Sequence, residues 1–354
     1  MEKQQVLAVL ALVAFGWLSA PAAEAAANDP ARTPARHVKK QRPHAKPVRK
    51  RIPKVVKKAA PATPLAATAR PSTDTKTAIT KAGDYSFAIQ HEGRTRTYRV
   101  HVPRGYTPSE PAPLVLALRA GTADARDPDG FYGLTRESDR QGFVAVFPDA
   151  YRATGGGTAV GWNAGNWRGG GADDVGFIEK VVNNVFGQVS IARQRIYAAG
   201  MSDGGMMAYR LACELPHVFT AVASVAGTDN TAACTPDKPV SILHLHARND
   251  RRMPYDGGAD PLAKAKLPSL TSAPQTAAKW ARLDGCQEAP QPVLQQAGAS
   301  CEAYSYCRGQ AEVRLCSTET GGHSWPGSVK HPGEDPPSQA LSATRTIWSF
   351  FSAH

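Results

Sequence analysis

Residues 195–213 constrain this chain more than any other stretch. A short apolar run at 195–199 leads into Gly200-Met201-Ser202-Asp203-Gly204, and a helical pattern follows at 204–213. A strand that turns sharply into a helix around a serine needs small residues at both ends, because the two backbones approach closely there. The turn projects Ser202 into the open and aims the backbone N–H of Asp203, at the helix start, at the space before it. Ser202 is the candidate nucleophile and the Asp203 N–H a candidate oxyanion donor. The plainer alternative is an ordinary glycine-rich turn that opens a helix.

The rest of the chain alternates in the same way. Residues 85–90 and 96–102 form an opening hairpin around Glu92-Gly93. Buried strands are expected at 114–118, 143–147, 195–199, 220–225 and 240–246. Helices are expected at 131–141, at 175–186 behind Asp173-Asp174, and at 204–213, 275–283 and 340–351. This pattern implies an α/β fold, a mostly parallel sheet flanked by helices, in a single domain over residues 81–354.

A serine hydroxyl attacks poorly until a base takes its proton, and the base needs an acid to orient it. In strand–turn–helix serine sites the acid and then the histidine follow the serine along the chain. Asp250 lies just beyond the strand at 240–246, and His323 lies in Gly321-Gly322-His323-Ser324-Trp325-Pro326-Gly327, ahead of the last helix. Asp229 and Asp256 are rival acids; one follows an earlier strand and the other lies farther from its strand end. His244 and His246 alternate on a strand, but no acids sit at ligand spacing, so they read as packing groups. No metal and no cofactor is called for. Gly155–Gly157 and Gly169–Gly171 lack the phosphate-cradle pattern and read as loops. Trp162, Trp167 and Trp325 fall in loops placed around the cleft. They read either as an apolar platform for an acyl chain, a sugar ring or an aromatic acid, or as loop packing.

Charge and cysteines speak to location. Net charge is +12, yet residues 29–70 hold 13 basic residues and one acid, which leaves the remainder nearly neutral. A neutral body argues against nucleic-acid binding spread over the whole chain. Residues 27–80 read as a disordered Pro/Ala/Lys-rich linker. Within it, residues 29–70 are either a tether to an anionic envelope polymer or surface, or a solvated spacer. Ahead of it, Lys3, an apolar run at 6–18 and Ala23-Glu24-Ala25 read as a signal peptide over residues 1–26. That run falls short of the ~20 residues a spanning helix needs, so the mature chain is expected outside the cytoplasm with no transmembrane segment. Six cysteines agree with an oxidising compartment. Local pairing favours Cys213–Cys234, with the other four stapling the segment before His323.

Together these stretches resemble a known family. Residues from about 83 to 352 are similar to the secreted polyhydroxybutyrate depolymerase-like esterases, α/β-hydrolases related to feruloyl and acetylxylan esterases. The matching stretches include residues 113–118, Gly142-Phe143-Val144-Ala145-Val146-Phe147-Pro148-Asp149 and Gly161-Trp162-Asn163-Ala164-Gly165. They continue with Asp173-Asp174-Val175-Gly176-Phe177-Ile178, Gly200-Met201-Ser202-Asp203-Gly204-Gly205-Met206-Met207, Leu243-His244-Leu245-His246, Asp250 with Pro254-Tyr255, and the His323 loop. The resemblance implies Ser202 as nucleophile, His323 as general base and Asp250 as its orienter. It also implies a small or oligomeric ester substrate, with hydroxyalkanoate esters ahead of feruloyl or acetyl esters of polysaccharide. The chain ends at His354 with no appended polymer-gripping module, which favours soluble oligomers.

Two stretches depart from the family pattern. After residues 114–118 relatives usually have His-Gly and a small residue, where this chain has Arg119-Ala120-Gly121-Thr122. The second oxyanion donor is assigned by position to the Gly121 N–H, and losing one such donor costs on the order of 100-fold in rate. Asn166-Trp167-Arg168 stands where relatives often carry vicinal cysteines. A rival expectation is therefore an inactive hydrolase scaffold held to an anionic polymer by residues 29–70.

Overall fold

Alternating side chains turn the start of the folded part into a hairpin. β1 (Gly83–His91) pairs antiparallel with β2 (Arg94–Val102). β3 (Ala112–Leu118) is buried at every position, with Leu114, Leu116 and Leu118 in one apolar core and Val115 and Ala117 in another. A strand buried on both faces belongs inside a sheet covered by helices on both sides. The computed structural model describes residues 78–120, 130–152, 160–165, 171–231, 233–259, 269–330 and 335–354.

The chain continues through α1 (Gly130–Gln141), β4 (Val144–Pro148), a two-residue pair β5 (Tyr151–Arg152) and β6 (Val160–Gly161), and α2 (Asp174–Phe186). β7 (Ile191–Met201), α3 (Asp203–Glu214), β8 (Ala221–Val225), β9 (Ser241–Ala247) and α4 (Ala273–Leu283) follow. β10 (Gln291–Gln296), β11 (Ala299–Tyr304), β12 (Val313–Thr318) and α5 (Ala343–Ser352) complete it. One ten-stranded sheet runs β1-β2-β4-β3-β7-β8-β9-β12-β11-β10. From β4 to β12 neighbouring strands are parallel, and antiparallel pairs extend the sheet at both ends. Residues of α2, α3 and α4 join the core on one face, and those of α1 and α5 the core on the other. This is an α/β-hydrolase architecture.

The expected strands and helices appear within a few residues of their predicted bounds. Five strands were not foreseen: the two-residue β5 and β6, and β10, β11 and β12, which the cysteine-rich segment before His323 forms. Cys213–Cys234, Cys286–Cys307 and Cys301–Cys316 are disulfide-bonded. Cys301 and Cys316 face each other across β11 and β12. The linker boundary at residue 80 also needs correction. Ile79 is buried in the core, and its N–H donates to the Gln188 carbonyl at 2.8 Å, so the folded part already includes it. The signal-peptide and basic-arm expectations for residues 1–26 and 29–70 lie outside the described residues. Among the described residues no helix is long and apolar enough to cross a membrane.

Candidate active site

Ser202 occupies the single residue between β7 and α3, with φ 57° and ψ −122°. A non-glycine residue there is strained, and it holds because the surroundings leave no other path. A Cβ on Gly200 would lie 2.1 Å from the Gly204 carbonyl oxygen, and one on Gly204 would lie 2.0 Å from that of Leu118. Both glycines are therefore required by close backbone approach. The Ser202 N–H donates to the Val225 carbonyl at 2.9 Å, tying the turn to β8. Asp203 opens α3, whose first-turn N–H groups have no intrahelical acceptors.

Asp250 follows β9, His323 follows β12, and Ser202 follows β7, so all three stand at carboxyl ends of parallel strands, where open α/β sheets place their sites. His323 Nδ1 lies 2.9 Å from Asp250 Oδ2. The other carboxylate oxygen of Asp250 accepts from the N–H groups of Arg252 and Met253 at 2.8 and 2.9 Å. Burial of this carboxyl works against its charge. The hydrogen bonds from His246 and His323 outweigh that and hold its pKa below the usual carboxylate range. The His323 loop is anchored from two sides. The Gly322 N–H donates to Asn249 Oδ1 and the His323 N–H to Asp335 Oδ2, each at 2.8 Å. Neither Asn249 nor Asp335 stands out in the sequence, because their parts depend on where the loop lands.

The rival acids are placed elsewhere. Asp229 is buried against α4, accepting from Trp280 Nε1 at 2.9 Å and pairing with Lys279 Nζ at 2.8 Å. Asp256 is exposed. His244 and His246 hydrogen-bond to each other at 3.0 Å. Among the described residues no group of three or more potential ligands is arranged to hold a metal ion.

The expected aromatic platform is corrected for two of its three members. Trp162 and Trp325 are each 1% exposed and join the cores on opposite faces of the sheet. Trp325 stacks on Tyr132 at 4.8 Å and donates to Thr344 Oγ1. Trp162 donates its indole N–H to the Arg119 carbonyl at 2.8 Å, and its backbone N–H lies 3.3 Å from Asp203 Oδ2. Its loop is fixed in turn by Asp174, which pairs with Arg96 at 2.8 Å, fully buried, and accepts the Asn163 N–H at 2.7 Å. These bonds make Trp162 a brace between the end of β3 and the start of α3. Gly121 and Trp167 lie outside the described residues.

A serine on a strained strand–helix turn, with a histidine–carboxylate pair beyond the carboxyl ends of the same sheet, is the arrangement that α/β-hydrolase sites use. The comparisons agree: residues 96–271 match the family described as esterase PHB depolymerase, and the chain belongs to that family of carboxylic ester hydrolases. The match spans Ser202 and Asp250 and ends ahead of His323. NocK of Nocardia uniformis subsp. tsuyamanensis, which carries the name of an esterase, is 32% identical over 257 residues, 67% of this chain and 72% of NocK. Feruloyl esterase B of Piromyces equi is 28% identical over 64% of this chain, which spans 42% of that longer protein. An acetyl xylan esterase structure from Aspergillus awamori shares the fold, with TM-score 0.53 and 13% identity over 76% of this chain and 99% of that one.

Proposed function

We propose that the protein is an exported serine esterase that works through an acyl-enzyme. Ser202 Oγ attacks the ester carbonyl as His323 Nε2 takes its proton, and Asp250 on Nδ1 keeps the imidazole in the tautomer that can do so. The Asp203 N–H receives the oxyanion, with the Gly121 N–H as second donor. His323 returns the proton to the leaving alcohol, then activates the water that releases the acid and restores Ser202. The observation that carries this reading is the 2.9 Å contact of His323 with Asp250, made across 73 residues at the sheet edge where Ser202 stands.

Hydrolysis of p-nitrophenyl butyrate by wild type and by Ser202→Ala tests it. Wild-type turnover with none from the variant is expected, and equal turnover by both would remove Ser202 from the mechanism. For the natural substrate, the family's description favours short hydroxyalkanoate oligomers. The name of the Piromyces relative favours feruloyl esters of polysaccharide as the second reading. Assaying 3-hydroxybutyrate oligomers beside feruloyl sugars ranks them, and faster cleavage of the sugars reverses the order.

Export rests on the apolar run at 6–18 and the three disulfides. N-terminal sequencing of the mature protein should find a start near Ala26. Residues 29–70 would then act as an electrostatic arm. Deleting them should abolish salt-sensitive polyanion binding and leave turnover intact.

A further inference from the structure

β9 carries His244 and His246 two positions apart, so both side chains leave the same face of the strand. They are 0% and 1% exposed, with ring centroids 5.2 Å apart. The proposed reaction uses neither. Buried polar groups so close to a reacting carboxylate need a reason.

Their contacts form one line. The Tyr209 hydroxyl, from α3, lies 2.6 Å from His244 Nδ1, and His244 Nε2 lies 3.0 Å from His246 Nδ1. His246 Nε2 lies 2.7 Å from the Met253 carbonyl and 3.4 Å from Asp250 Oδ2. That carboxylate oxygen is the one facing His323 Nδ1.

With His246 neutral, the direction of every bond follows from the last acceptor. A carbonyl only accepts, so His246 Nε2 carries a hydrogen. In a neutral imidazole the other nitrogen then accepts. His244 Nε2 must therefore donate to His246 Nδ1, which leaves His244 Nδ1 to accept from Tyr209. Burial, with His246 beside it, pushes the His244 pKa well down and keeps that ring neutral. Burial keeps the Tyr209 hydroxyl protonated and able to donate. All donors point the same way, toward Asp250.

We propose that His246 is a positioning residue for the esterase reaction, its Nε2–H holding the Met253 carbonyl and facing Asp250 Oδ2 opposite His323. The proposal rests on the reading of Asp250 and His323 as the working pair. Asp250 Oδ1 is held by two backbone N–H groups of its own turn, while Oδ2 is shared between the two imidazoles. Without His246, the turn of residues 250–253 loses its side-chain tie to β9, and Oδ2 is held by His323 alone. Carboxylate and base are then free to swing together, away from Ser202. Because His246 is not placed against substrate, the loss should fall on kcat and leave KM alone.

Two measurements test this. In isotope-labelled wild type, NMR of the histidine ring nitrogens should find hydrogen on Nε2 and a lone pair on Nδ1 in both His244 and His246. A His246 with hydrogen on Nδ1 overturns the proposal, and this measurement needs no variant. In kinetics, His246→Leu removes the donor and His246→Gln keeps an N–H near the same place. The Leu variant should lose about 10- to 100-fold in kcat, the scale of a misplacement near 1 Å, with KM within about twofold. The Gln variant should recover most of that loss, with thermal unfolding showing both folded at assay temperature. Unimpaired Leu turnover, equal loss in both variants, or loss confined to KM would each overturn it. Ser202→Ala run alongside separates the two readings. An active Ser202→Ala sinks the triad itself, whereas an inactive one beside an unimpaired His246→Leu sinks only the role given to His246.

Discussion

The indole nitrogen of Trp162 and the carbonyl oxygen of Arg119 lie 2.8 Å apart, joining the loop ahead of α2 to the backbone that leaves β3. Arg119 itself is 7% exposed, at the position where the family pattern has histidine. The bond engages its main chain, which any residue supplies, so the loop can be held in spite of that substitution.

Trp162→Phe keeps a ring and deletes this one donor. The buried Arg119 carbonyl then loses its partner, at a cost of about 1–3 kcal/mol. The expected outcome is a lower melting temperature and a kcat lower by roughly 10-fold, less than the roughly 100-fold or more that outright loss of an oxyanion donor costs. Steady-state kinetics on p-nitrophenyl butyrate checks it. An unchanged kcat would separate this brace from catalysis.

Asp250 should show itself in acid. Its native pKa lies below the unfolded value of 3.8, so native and unfolded chains are both ionised above 3.8 and the stabilisation is fully present there. As pH falls below 3.8 the unfolded chain takes up the proton first, and the stabilisation is lost through the native value. The stability gap between wild type and Asp250→Asn, from denaturant melts, should stay constant down to about pH 4 and narrow below it.

Asp284 should behave in the opposite sense. It caps α4, accepts the Val240 N–H at 3.2 Å, and is 0% exposed. Burial raises its pKa from 3.8 to about 7, against the opposing pull of the Val240 bond and the Arg308 charge. Between those values the unfolded chain ionises and the native one does not, so wild-type stability falls as pH rises through the window. Asp284→Asn keeps the acceptor and cannot ionise. Its melting temperature relative to wild type should climb from about pH 4 to about pH 8 and then level off.

Much of this was legible in local spacing. Ser202 stands out because the two close backbone approaches at Gly200 and Gly204 leave glycines in the sequence. Asp250 stands out because an apolar strand ends just ahead of it. β10 does not, since most of Gln291–Gln296 is exposed and no alternation marks it. Trp162 shows the reverse difficulty. A loop tryptophan reads the same whether it faces a ligand or a carbonyl, and only the fold put Arg119 beneath it. His244 and His246 likewise gain meaning from Met253 and Tyr209, which reach them from other elements.

The order of strands in the sheet differs from the order in which they are made. β12 is the last strand synthesised, yet it lies between β9 and β11, and His323 comes only after it. If His323 is the base, as proposed, a nascent or C-terminally shortened chain presents Ser202 with nothing to activate it. On the proposed mechanism the chemistry is complete only once the chain has been made past β12, more than a hundred residues after Ser202.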